Sequence, residues 1–197
     1  VNHWKQNLGA GSDKNSTNYT KSTTDNLTGT TDTKVTPNTK SFSGFEAPTK
    51  QEVNINADGS RVVNYYYTRK SYTLTLEKTT GIASVSGAGT YQYEQEVTVK
   101  TTLATGYKFV SWSGTPSSTN QTFIFKMPAS NTTLKAQAQG RDDTKYTVNH
   151  WIQNIDGADA ENSTNYTKKE TDQLTGTTDK SVTPATKNYT GFTSPSG

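Results

Sequence analysis

Two-residue alternation of apolar and polar positions is the clearest pattern in this chain. Tyr72-Thr73-Leu74-Thr75-Leu76-Glu77 alternates strictly, and Glu96-Val97-Thr98-Val99-Lys100 does the same. Period two sends every second side chain to one face, so both segments predict half-buried strands. Val1–Gln6, Phe42–Phe45, Tyr91–Tyr93, Gly106–Gly114, Phe123–Pro128 and Thr133–Ala138 predict further strands. Glu52–Ile55, the turn Asn56-Ala57-Asp58-Gly59 and Arg61–Tyr67 predict a hairpin, with Asp-Gly supplying the positive φ. Asn7–Asn18 reads as a polar loop and Ser84–Gly89 as a glycine-bearing turn. Asp32 ahead of a short polar stretch ended by Pro37 predicts one capped helical turn. No segment holds a 3.6-residue period over ten residues.

The chain also repeats itself. Of residues 1–50, 29 recur 147 positions later, among them Val1-Asn2-His3-Trp4, Asn15–Thr20 and Leu27–Asp32. A duplicated unit of this kind marks a modular array. Three modules follow: residues 1–69, residues 71–139, and a second copy of the first over residues 146–197. Arg69-Lys70-Ser71 and Arg141–Lys145 connect them. Connectors so short do not permit free swivelling, so the modules are expected end to end. The second copy stops at the counterpart of Lys50 and has nothing equivalent to residues 51–69. With the Tyr-rich strand central to the module, residues 148–197 expose an unpaired edge. They are expected to be poorly ordered or completed by a strand borrowed from a neighbour.

Composition narrows the class. Only 28% of the 197 residues are hydrophobic, and 38 are Thr, yet 11 Tyr, 6 Phe and 3 Trp argue against disorder. Thr and Tyr favour strands, so the expectation is a mainly β chain of small, thin-cored modules. The absence of cysteine excludes a disulfide framework and thiolate chemistry. The net charge of +3 is spread out, with Arg69-Lys70 and Lys168-Lys169 the only basic doublets, so nucleic acid is not an expected partner. No apolar run is long enough to span a membrane.

Candidate chemistry is sparse. His3 and His150 are one repeat position, and no second ligand is spaced to complete a metal site. Neither a nucleophile with its base nor paired carboxylates across a cleft is indicated, because Glu94 and Glu96 should share one face of a strand. No catalytic residue, metal or cofactor is therefore expected. Trp112, and with less force Trp4 and Trp151, are read as core residues, with sugar stacking as the alternative. Tyr65, Tyr66 and Tyr67 must point to both faces of their strand, so Tyr66 opposes the other two and at least one should meet solvent or a partner. Tyr65, Tyr66 and Tyr67, with Asn15 and Tyr19 at the Asn-rich loop, are the candidate ligand contacts. The Asn-x-Ser/Thr triplets, for example at Asn15, Asn120 and Asn162, are read as compositional, and no spacing marks a Lys–Asn isopeptide crosslink.

The strand, then LTGTTDTKVTP, FSGF and VNINADGSRVVNYYYTRK of the first module resemble the mucin-binding (MucBP) repeat of Gram-positive surface proteins. The Gly-Tyr-x-Phe-x-x-Trp step at 106–112 and the Phe-x-Met-Pro-x-x-Asn step at 125–131 resemble the divergent internalin-type B-repeat. The Asn7–Asn18 loop is longer than the corresponding MucBP hairpin. These resemblances imply β-grasp-like or β-sandwich modules, exported and attached to the cell wall, often in adhesins. A stalk or spacer is the leading expectation, with neighbouring repeats as partners. A multivalent binder of host mucin glycans or surface proteins is the alternative, by analogy.

Overall fold

The computed structural model describes residues 1–195, so the last two residues of the expected third module lie outside the described residues. The described chain is built of strands, turns and loops without a helix. It forms small β units in tandem, as the alternation predicts.

The first unit has six strands: β1 (Asn2–Gln6), β2 (Tyr19–Thr24), β3 (Lys34–Val35), β4 (Phe45–Glu46), β5 (Val53–Asn54) and β6 (Asn64–Arg69). Its main sheet has the order β2-β1-β6-β4. β1 and β6 run parallel at the centre, with Asn2 opposite Asn64 and Lys5 opposite Tyr67. β2 and β4 pair antiparallel on the outside. This is a β-grasp order, but the layer across the sheet is an extended segment and not a helix. The core is small: Phe45, Val63, Tyr65 and Tyr67, with Val1, Phe42, Val53 and Tyr93 packed against it.

The second unit has seven strands: β7 (Ser71–Lys78), β8 (Ile82–Ser86), β9 (Gly89–Gln92), β10 (Glu96–Leu103), β11 (Tyr107–Ser113), β12 (Thr122–Lys126) and β13 (Thr132–Gly140). Its four-stranded sheet, β11-β13-β7-β9, repeats the same plan. The first strand, β7, and the last, β13, are the parallel central pair. A second sheet, β12-β10-β8, covers it. Between the layers lie Leu74, Ile82, Val97, Val99, Trp112, Phe125, Met127, Leu134 and Ala136. The predicted alternation of β10 is observed, with Val97, Val99 and Thr101 inward.

The second copy begins with β14 (Thr144–Gln153), paired antiparallel with β15 (Tyr166–Gly176). Residues 177–195 hold turns and no strand. The described residues thus keep the β1–β2 hairpin of the first copy.

Four expectations are corrected. The Asp58-Gly59 turn forms, with Gly59 at φ +71° and its N–H donating to the Asn56 carbonyl at 3.1 Å. Its arms do not pair with each other: β5 joins β3 and β6 joins β1. Burying two tyrosines in a central strand outweighs extending a local hairpin. The helical turn at 32–37 is also absent. Asp32 takes φ +60°, which turns the chain into β3. Residues 82–86 are a strand paired antiparallel with β10, with Ile82 buried and Val85 half-buried on either side of the register shift at Thr102/Leu103. Glu94 lies in a turn at φ +65° and does not share a strand face with Glu96. β2, in the stretch between the Asn-rich loop and Asn26, had no apolar alternation to announce it.

Candidate functional site

The candidate functional features among the described residues are the unit junctions and the aromatic faces of the duplicated unit. Among the described residues no group of three His, Asp or Glu side chains is placed to hold a metal. The described residues contain no helix long and apolar enough to cross a membrane.

Tyr65 and Tyr67 point into the core with no exposed surface. Their hydroxyls tie β6 to the segment crossing the sheet. Tyr65 Oη donates to the Pro37 carbonyl at 2.7 Å and accepts from Gln51 N–H at 3.2 Å. Tyr67 Oη accepts the Lys40 N–H at 2.6 Å and sits 2.8 Å from His3 Nδ1. Burial pushes the Tyr67 phenol above its ordinary range. As ligand contacts these two are therefore corrected: their rings and hydroxyls are already used. Tyr66 lies on the opposite face, as strand alternation requires. Its ring stacks on Trp4 at a 6.0 Å centroid distance and meets Tyr19 edge-on at 5.0 Å.

Trp4 is thus not core. It is half-buried on the outer face, donates from Nε1 to Asn64 Oδ1 at 3.0 Å, and carries Lys21 Nζ over its ring at 5.9 Å. Its counterpart Trp151 is 49% exposed. Trp112 is fully buried, as read from the sequence. Tyr19 is 3% exposed and supports Tyr66 from below, so its ring offers little surface to a ligand. Asn15 is a loop cap: its Oδ1 accepts the N–H groups of Thr17 and Asn18 at 3.0 and 2.9 Å. Asn162 does the same for Thr164 and Asn165. That is a side-chain-closed turn, the role Asn plays best in loops.

A network that sequence reasoning missed recurs in both copies. His3 is fully buried, with Nε2 3.1 Å from Asp25 Oδ2. Asp25 Oδ1 pairs with Lys40 Nζ at 2.9 Å. His150, Asp172 and Lys187 repeat this at 3.1 and 2.6 Å, and Glu170 joins Lys187 at 3.1 Å. The hydrogen bond from Lys40, with a smaller one from His3, holds the Asp25 carboxyl below its ordinary range. Lys187 and His150 do the same to Asp172. The signal was present in the sequence: His, Asp and Lys recur together at the same offset.

The junctions are held by side chains. Arg69, the last residue of β6, donates from Nη1 to the Tyr93 carbonyl at 2.6 Å and to Glu94 Oε2 at 2.9 Å. Its guanidinium lies 4.8 Å from the Phe45 ring centroid, and its Nε reaches back to the Gln6 carbonyl at 3.2 Å. Lys70 bridges the units through its backbone, to Gly44 at 2.9 Å and Tyr93 at 2.8 Å. Gly44, at φ +79°, lets Tyr93 pack so close that a Cβ there would lie 2.1 Å from the ring. The second junction uses the other end of the duplicated unit. Thr178 N–H donates to the Arg141 carbonyl at 2.9 Å, Arg141 N–H donates to Gly106 at 2.8 Å, and the Tyr107 hydroxyl meets Asp179.

The fold and these junctions define a class: tandem small β units, each with its first and last strands parallel at the centre of a mixed sheet. Residues 72–139 match the family described as the divergent InlB B-repeat domain. No curated protein and no solved structure matches the chain.

Proposed function

We propose that this chain is a stalk segment of a bacterial surface protein, spacing a binding head from the cell wall outside the cell. One observation carries the reading. In the first two units the first and last strands run parallel, so the chain enters one end of the sheet and leaves from the other. β6 passes into β7 through Lys70 alone, and β13 reaches β14 through residues 141–143. Each unit therefore adds length. The junction residues also recur: Thr31-Asp32 matches Thr178-Asp179, and Gly191-Phe192 matches Gly44-Phe45. The duplicated unit thus has a contact surface at each end, and the arrangement repeats by translation. The internalin B-repeat match of residues 72–139 supports a surface location, and the likeness of the first unit to MucBP repeats supports wall attachment.

A second reading, a multivalent binder of host mucin glycans or surface proteins, is favoured by the Trp4–Tyr66 face. Two stacked rings under lysines suit the CH face of a sugar, and repetition strengthens weak contacts. Glycan arrays and mucin-coated surfaces probed with the chain separate the two. The stalk reading expects silence from both, with an elongated scattering profile. Saturable binding that Tyr66→Ala abolishes without unfolding the protein selects the second.

A further inference from the structure

The sheets of the first two units share a property that spacing alone does not require. β1 starts at Asn2 and β6 ends at Arg69, and the two lie side by side in parallel, with Asn2 opposite Asn64 and Lys5 opposite Tyr67. β7, which starts at Ser71, and β13, which ends at Gly140, do the same, with Leu74 opposite Thr132 and Lys78 opposite Ala136. Tension along the chain therefore pulls the two strands of each pair in opposite directions along their own axes. The backbone bonds of a parallel pair are evenly spaced, so a sliding load falls on all of them together. Peeled from one end, the same bonds would break one after another.

Side chains tie the β1–β6 seam from both faces. On the outer face Asn64 Oδ1 accepts from Asn2 Nδ2 at 3.1 Å and from Trp4 Nε1 at 3.0 Å, and the Trp4 ring stacks on Tyr66. On the inner face His3 Nδ1 meets the Tyr67 hydroxyl at 2.8 Å. At the exit Arg69 N–H donates to Gln6 Oε1 at 2.9 Å, and Arg69 Nε donates to the Gln6 carbonyl at 3.2 Å. To slide, β6 must also drag Tyr65 and Tyr67 through a core in which their hydroxyls are bonded to Pro37, Gln51 and Lys40. The β7–β13 seam is tied near both ends. Asn131 Oδ1 accepts the Thr73 N–H at 2.9 Å, and Thr79 Oγ1 accepts the Ala138 N–H at 3.2 Å. Between these ties Leu74, Leu134 and Ala136 are buried, so here the core itself resists sliding.

We propose that the β1–β6 and β7–β13 seams are load-bearing, so that these units transmit tension along the chain without opening. Lys70 is the one residue between β6 and β7, so the pull that leaves the first seam enters the second. The load presupposes the stalk reading, in which one end of the array is anchored and the other engaged. The resistance belongs to each sheet and is measured without anchor or ligand. It is a rate, the lifetime of the folded unit under pull, and not an equilibrium stability. It also gives a role to Asn64, a half-buried residue on the outer face that adds nothing to the apolar core: its one oxygen joins two residues of β1 across the seam.

The test is single-molecule pulling of the 197-residue chain in two directions. The chain has no native cysteine, so handles go on the N-terminus and on one introduced thiol. Asp142→Cys, an exposed linker position, loads both seams by sliding. Val62→Cys, an exposed position just before β6, grips the first seam at one end and peels it. Sliding should give two abrupt steps, each lengthening the tether by about 200 Å, roughly 70 residues at about 3.5 Å each less the folded span. At equal loading rate both steps should need at least about twice the force of peeling, because forced unfolding follows the rate along the direction pulled. Asn64→Ala should lower the force of one sliding step and leave the other unchanged; the comparison of directions needs no change to the seam itself. Sliding forces no higher than the peeling force, lengthening without steps, or an Asn64→Ala chain that keeps both forces would each overturn the proposal. The units would then be passive spacers, and the stalk reading, tested by scattering and glycan arrays, would still stand.

Discussion

At the residue scale, buried hydroxyls separate structure from chemistry. Tyr67→Phe keeps the ring but strands His3 Nδ1 and the Lys40 N–H, both of which meet that hydroxyl. Leaving buried polar groups unpaired costs about 1–3 kcal/mol, and urea unfolding should show that loss. Thr101 is the opposite case. It is 1% exposed in β10, and its Oγ1 has no partner among the described residues. Thr101→Val removes an unsatisfied hydroxyl and should raise stability by about 1 kcal/mol in the same assay. The Asp25 and Asp172 carboxyls set the response to acid. Both are lowered from 3.8 in the folded protein, chiefly by Lys40 and Lys187. A carboxyl with a lowered folded pKa stabilises above its unfolded value and loses that contribution as pH falls through the folded one. Stability should therefore decline below about pH 4, and Asp25→Asn with Asp172→Asn should flatten the decline in pH-resolved urea titrations. Alternation alone placed Tyr66 opposite its neighbours. The His3–Asp25–Lys40 network was harder to read, because its members lie far apart in sequence and only their shared recurrence joins them.

At the element scale, strands with strict alternation were legible and those without it were not. β7 and β10 could be read directly, since Leu74, Val97 and Val99 occupy one face. β2 carries only one buried residue, Tyr19, and β3 and β5 are two residues each, too short for any period. The 51–67 hairpin misled because its turn chemistry is correct while the partner of β6 is chosen by distant packing. Trp4 misled for a related reason: a strand residue has two faces to choose from, and here the outer one is covered by Tyr66. Glycines test the junction at this scale. Ala at Gly44 must adopt positive φ and also displace the Tyr93 ring, whereas Ala at Gly191, with φ +83° and open space around it, carries the backbone cost alone. That cost is about 1–2 kcal/mol. Gly44→Ala should therefore lower the thermal midpoint more than Gly191→Ala, as calorimetry would show.

At the scale of the whole molecule, topology sets the direction of the chain. A sheet whose first and last strands are parallel neighbours cannot return the chain to the end where it entered. Two such units, joined through Lys70 and Arg69, extend in one direction. The accessible surface agrees: it is 12762 Å² for a chain of 21.5 kDa, against roughly 9,200 Å² for a compact monomer of that mass. The repeat was legible from recurrence alone. The junction contacts were not, because Arg69, Gly44 and Tyr93 meet across a boundary that the sequence marks only as short.

The account stands on that rigid, one-directional stacking. The chain has no cysteine, so Gly11→Cys and Ala158→Cys place two spin labels at the same position of the two copies, one full period apart. Pulsed electron-spin distance measurement should give one narrow population at about 50 Å, the six-residue β6 and the nine-residue β13 laid end to end at about 3.3 Å per residue. A broad distribution, or a peak below about 35 Å for units folded back on one another, would contradict it.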